Sequence, residues 1–174
     1  MQNTQRRPRH LKQLALSAAV LTTGLGLWSG LRAAAQLEPL TPVRARAALE
    51  NAEPSVHWQD GSAVEGDFEG SSPNDVAALG TSPGFAYVGL VSGETGKVAL
   101  LRFARGGQAQ DALCAGEPKL TSESLDYDPA PIVGVVPGFV RSKVRRGLKL
   151  SSGGCDDIHI FWDRSRQALS WWRN

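Results

Sequence analysis

Histidine and cysteine are scarce in this chain of 174 residues, which holds three of the first and two of the second. Cys114 and Cys155 stand apart, with no C-x-x-C and no histidine cluster beside them, which excludes the zinc and dithiol redox motifs. The only histidines beyond residue 35 are His57 and His159. A triad would need a serine or cysteine activated by one of them, and the nearby Ser151-Ser152-Gly153-Gly154 is not a nucleophile elbow. Internal repeats, low-complexity tracts and long linkers are also lacking, so one domain is expected in place of an array.

Acidic residues are absent from the first 35 positions. There Arg6, Arg7, Arg9 and Lys12 precede an uncharged apolar run, Leu14 to Trp28, and Ala33 and Ala35 follow in an A-x-A pattern. This order makes a bacterial-type secretory signal over residues 1–35, cleaved after Ala35 to leave a single secreted domain over 36–174. The alternative is an inner-membrane anchor, because Gln13 to Leu31 approaches the roughly 20 residues of a span. Its Ser, Thr and Gly content favours cleavage, after which no stable membrane span remains. No cysteine lies near the cleavage point, which argues against a lipoprotein, and Pro8-Arg9-His10 spoil a twin-arginine signal.

Export changes the charge account. Nineteen basic residues less the five before Gln36 leave fourteen against seventeen acidic ones, a net charge of −3. The remaining domain has no global basicity to suit nucleic acid, and the expected location is periplasmic or secreted. In that oxidising setting Cys114 and Cys155 are expected to form a disulfide. Its loop of about 42 residues would be worth about 4 kcal/mol on the chain-entropy model.

The rest of the chain reads as an α+β fold, mostly antiparallel β. Thr41-Pro42 opens a short helix that Glu53-Pro54 ends. Asp60-Gly61 signals a hairpin, Ser82-Pro83-Gly84 and Ser92 to Gly96 signal further turns, and Val98, Leu100, Phe103, Tyr87 and Leu90 suggest one buried sheet face. Ile158, Ile160 and Trp162 alternate with His159 and Phe161 in a C-terminal hairpin that Leu169 and Trp171 complete. The expected arrangement is one N-terminal helix packed on a small sheet, with the C-terminal hairpin tied by the disulfide. Trp171 and Trp172 are adjacent on a strand and must face opposite sides.

The stretch GDFEGSSPND, Gly66 to Asp75, places oxygen donors at alternate positions: Asp67, Glu69, Ser71, the Pro73 carbonyl and Asp75. Calcium loops use this spacing because alternate side chains converge on one cation. Gly66, Asp67, Phe68, Gly70, Asp75 and Ala77 resemble the loop of the FG-GAP/VCBS repeat over residues 66–79. That resemblance implies a calcium-binding turn between two strands, with Phe68 directed into the core. Three positions depart from the family pattern: Glu69 for Asp or Asn, Ser71 for Asp, and Ser72 for Gly. Losing a charged ligand weakens such a site, so the loop is either a weak calcium site or a turn that no longer holds the ion. One copy cannot build a propeller, which needs at least four blades.

Arg141, Lys143, Arg145, Arg146 and Lys149 form a local basic stretch in a net-acidic domain. It is either a solvated face or, with Trp172 as an aromatic anchor, a surface for an envelope protein or an anionic envelope component. Two functions from different classes follow. One is a non-enzymatic binding or accessory module of the envelope. The other is a small hydrolase acting on glycan or peptide through carboxylates such as Asp126, Asp128, Asp156 and Asp157, or through His159. A deep pocket holding carboxylates and His159 together would favour the enzyme, and a basic surface without one would favour the module.

Overall fold

The computed structural model describes residues 38–107 and 112–174, so the export signal read over residues 1–35 lies outside the described residues. Helix α1 (Pro42–Ala52) starts where its sequence says it should. Thr41 Oγ1 accepts the Arg44 N–H at 3.3 Å, and Pro42 occupies the first turn without losing a hydrogen bond. Ala45 and Leu49, one turn apart, form its buried stripe.

Two sheets follow. The first comprises β1 (His57–Trp58), β2 (Val64–Gly66), β3 (Asp75–Ser82), β4 (Phe85–Val91), β5 (Val98–Arg105) and β6 (Ala112–Leu113). Its pairs are antiparallel except β5–β6. The second has the order β10 (Ala168–Trp172), β9 (Ile158–Asp163), β8 (Ser142–Ser151), β7 (Lys119–Leu125), all antiparallel. A one-turn helix, α2 (Ala130–Val133), lies in the connection from β7 to β8. The architecture is thus mostly antiparallel β with one substantial helix. Two sheets stand where the sequence suggested one small sheet.

The sheets pack face to face. Ala77 and Leu79 of β3 and Val88 and Leu90 of β4 meet Leu148, Leu150, Ile158 and Ile160 of the second sheet in one core. The opposite face of the first sheet is covered by α1, through Val76, Ala78 and Val91 against Ala45 and Leu49. Trp58 sits over Gly80 and Gly89, where an added Cβ would run into its ring. Both faces of β3 and β4 are therefore buried, which explains their poor alternation. It also divides the residues expected to share one face. Leu90 and Phe103 point between the sheets, Tyr87 and Val98 point toward α1, and Leu100 is partly exposed.

Asp60-Gly61 does not close a hairpin. His57–Trp58 and Val64–Gly66 both pair with β3, in line with each other, and the intervening residues bulge away. Ser62 fills the gap in the ladder: its hydroxyl accepts the Leu79 N–H at 3.1 Å and reaches the Leu79 carbonyl at 3.2 Å. The turns at Pro83-Gly84 and Ser92–Lys97 form as read, with φ of 79° at Gly84 and 68° at Gly96.

Cys114, just after β6, is bonded to Cys155, between β8 and β9. The bridge joins the edge of the first sheet to the β8–β9 turn of the second, three residues before the C-terminal hairpin begins. A disulfide fits an extracytoplasmic location. Among the described residues, no helix is long and apolar enough to cross a membrane.

Candidate functional site

Residues 66–75 leave β2 and return as β3. Phe68 is buried in the inter-sheet core, as the loop pattern implies. Asp75 is fully buried, and both its oxygens are engaged by backbone donors. Its Oδ2 accepts the Phe68 N–H at 3.0 Å and the Glu69 N–H at 3.1 Å, and its Oδ1 accepts the Gly93 N–H at 2.9 Å. One carboxylate thus fixes the start of the loop and the β4–β5 turn together. Asp67 Oδ1 accepts the Gly70 N–H at 2.6 Å, and the Asp67 carbonyl accepts the Arg146 N–H of β8 at 2.8 Å. Ser71 and Pro73 are exposed and Glu69 is half-buried. Among the described residues, no three His, Cys, Asp or Glu side chains converge as a metal cluster.

Cations stand close behind the loop. Gly70, at φ 86°, leaves room for two arginines: a Cβ there would collide with the Arg164 guanidinium and the Arg145 side chain. Arg145 is buried, and its Nη2 donates to the Val140 carbonyl at 3.1 Å. Burial and the adjacent Arg164 charge pull its guanidinium below the ordinary range, while Asp67 opposes the shift.

Beside this loop opens a cleft of about 480 Å³. Trp162, Val98 and Ala99 give it an apolar lining, and Glu69, Glu94, Lys97, Arg164 and Gln167 bring charge and polarity. Burial raises the Glu69 carboxyl above its ordinary value, helped by the charges of Asp75 and Glu94, while Ser92 and Ser71 oppose the rise. His159 does not line this cleft.

His159 lies on the outer face of the second sheet, stacked on Trp172 with centroids 4.1 Å apart and planes 12° apart. Its Nδ1 is 2.9 Å from Glu123 Oε2, and Tyr127 Oη donates to Glu123 Oε1 at 3.4 Å. Burial, with the Glu123 charge, pushes the Tyr127 phenol well above its ordinary value. Gly147 is the cross-strand partner of Glu123 and has no side chain to block its reach toward His159. Trp172 is buried with Leu125 and Phe161, beneath Tyr127, Val133, Val136 and Phe139. It is therefore not an exposed anchor. Trp171, on the opposite side, packs on the inter-sheet core with its ring edge-on to Phe103.

The basic stretch is largely strand β8. Arg141 pairs with Asp126 at 2.7 Å, Arg146 donates to Ser122 Oγ at 2.9 Å, and Lys149 pairs with Asp157 at 3.3 Å. Arg145 is turned inward, so it belongs to the support of the loop and not to a solvent-facing patch. Lys143 is exposed and makes no ion pair among the described residues. In the same part of the chain, residues 132–144, four large apolar side chains face water: Ile132, Val135, Val140 and Val144.

No protein-family model, curated protein or solved structure matches this chain.

Asp67, Glu69, Ser71, Pro73 and Asp75 share one loop by sequence alone, but the groups that surround the loop come from distant segments. Arg164 sits in a tight turn, and Glu94 and Lys97 sit in another, ordinary positions for charge. Only the fold brings these turns to one end of the sandwich. The Glu123–His159 pair left a faint trace in advance, since a lone glycine in a long strand marks a place where another group approaches closely.

Proposed function

We propose that this chain is an exported, non-enzymatic binding module, periplasmic or secreted, that docks an envelope protein on the surface around residues 131–146. The observation carrying this reading is the exposure of Ile132, Val135, Val140 and Val144, at 64%, 88%, 54% and 78%, within thirteen residues of chain. Large apolar side chains left facing water close together in the chain, beside charged ones, suit a macromolecular interface. Lys143, Arg141 and Arg146 supply the rim, and they complement a partner whose apolar contact is bordered by carboxylates. Of these three, only Lys143 and Arg146 make no ion pair among the described residues, fewer cations than the roughly four to eight of a lipid-binding cluster. Trp172 serves from below: with Phe139, Phe161 and Tyr127 it pins the β7–β8 connection, so little conformational freedom is lost on binding.

In the same reading, Gly66–Asp75 is an FG-GAP/VCBS-type loop kept as a turn. Two features support that choice over a working calcium site. Asp75 has given both oxygens to backbone N–H groups, and the guanidinia of Arg145 and Arg164 stand against Gly70. The hydrolase reading has less support, because the cleft carboxylates and His159 do not share a pocket.

The test is a photo-crosslinking residue placed at Val135, Val144 or, as a control on α1, Val43. Discrete protein adducts in the exporting cell from the first two positions only are expected. The same adducts from all three, or sedimentation of the protein with anionic vesicles and no protein adduct, would overturn the protein-docking reading.

A further inference from the structure

The cleft between the loop, the β4–β5 turn and the β9–β10 turn has an unusual charge arrangement. Glu69, Glu94, Lys97 and Arg164 all line it, and among the described residues none of the four makes an ion pair within 4.0 Å. Opposite charges in one cleft ordinarily pair; here two carboxylates, an ammonium and a guanidinium line it unpaired. Glu69 and Glu94 supply the carboxylates, and Arg164, set against Gly70, supplies the guanidinium. Gly70 is what allows this, since any side chain there would displace the Arg164 guanidinium. Asp163 holds the turn that presents Arg164: its buried carboxylate accepts the Ser165 N–H at 2.8 Å and the Ser165 hydroxyl at 2.7 Å. Trp162 gives the cleft an apolar wall, and Gln167 adds an amide.

We propose that this cleft binds a small dipolar ligand, a free amino acid or a short peptide with both termini uncapped, its ammonium against Glu69 and Glu94 and its carboxylate against Arg164. A guanidinium fork suits a carboxylate, and a pair of carboxylates suits an ammonium with its three donors. A cleft of about 480 Å³ accommodates a molecule of that size. The proposal does not depend on protein docking at residues 131–146.

The experiment is calorimetric titration of the intact exported protein with dialanine, with N-acetyl-dialanine and with dialanine amide. Dialanine is expected to bind with a dissociation constant of about 1 mM or tighter. Each capped form should lose about tenfold or more, since each leaves the carboxylates or the guanidinium unmatched. Arg164→Gln should weaken dialanine while leaving its acetyl-to-amide preference shifted toward the amide. Glu94→Gln, an exposed position that folding does not need, should do the reverse. Equal binding of all three probes, or no heat from dialanine in a protein with an unchanged melting curve, would overturn the proposal.

Discussion

The Asp75 carboxylate accepts the backbone N–H of Gly93, eighteen residues away, at 2.9 Å, and so locks the 66–75 loop to the β4–β5 turn. Its other oxygen serves Phe68 and Glu69. Asp75→Ala would leave three N–H groups without their acceptor, that of Phe68 buried and the other two part-buried. We expect a loss of about 3 kcal/mol or more by denaturant unfolding. Asp67→Ala removes one partly exposed turn hydrogen bond and should cost about 1 kcal/mol. Equal losses would mean that the loop is held by something other than Asp75.

Calcium gives a second check on the same loop. With Asp75 already satisfied, millimolar calcium should leave the melting temperature of the native protein unchanged relative to chelator. A rise that disappears in Asp67→Ala would establish an ion site and reverse the turn reading.

The Cys114–Cys155 bridge links residues 41 apart in sequence. Cys155→Ser should lower stability by about 4 kcal/mol, with the loss arising mainly from a freer unfolded chain. Reduction of the native protein should reproduce the variant's unfolding midpoint, and a mismatch would point to strain or packing at the serine.

Two carboxyls give stability opposite dependences on pH. The Ser165 hydroxyl foremost, with backbone N–H groups, holds Asp163 below its ordinary range. Its contribution is present above the unfolded value and is lost as pH falls through the depressed folded value. Burial raises Glu69, so the folded state keeps a proton that the unfolded chain has released. That contribution is present in acid and is lost as pH rises through the raised value. Glu69→Gln should therefore flatten the mild-acid side of a melting-temperature profile, and Asp163→Asn should flatten the strongly acid side. Unchanged profiles would remove both assignments.

Trp172→Ala should cost about 3–5 kcal/mol, as expected for an emptied aromatic site. It should also loosen the 126–140 connection, seen as faster amide exchange there than in β3. Trp171→Ala, which opens the inter-sheet core instead, should leave that connection protected.

Much of this fold was legible because local signals agreed with tertiary ones. Thr41-Pro42 begins a helix, Pro83-Gly84 turns, and Ile158, Ile160 and Trp162 line one face. The opposite facing of Trp171 and Trp172 follows from strand geometry alone. The second sheet was less visible. Strand β7, KLTSESL, carries few apolar residues, and the prolines around it resemble loop chemistry. Asp60-Gly61 misled for a different reason: the turn is real, but the strands on either side pair with β3 and not with each other. The candidate sites divide in the same way. Calcium-type spacing is a local property and could be read directly. The inward turn of Arg145, the approach of Arg164 and the reach of Glu123 across Gly147 arise from contacts between distant segments, and no spacing in the chain encodes them.

The bridge between Cys114 and Cys155 also sets how far this protein can be stretched. Force applied to residues outside the bridge passes across a Cα–Cα distance of 5.8 Å and bypasses everything between the two cysteines. The enclosed segment contains β7, α2 and β8, with the exposed Ile132, Val135, Val140 and Val144 among them. About 140 Å of contour length is thereby withheld from extension. Tension applied at the chain ends would therefore extend only the segments before Cys114 and after Cys155, and the covalently enclosed loop would stay short under load.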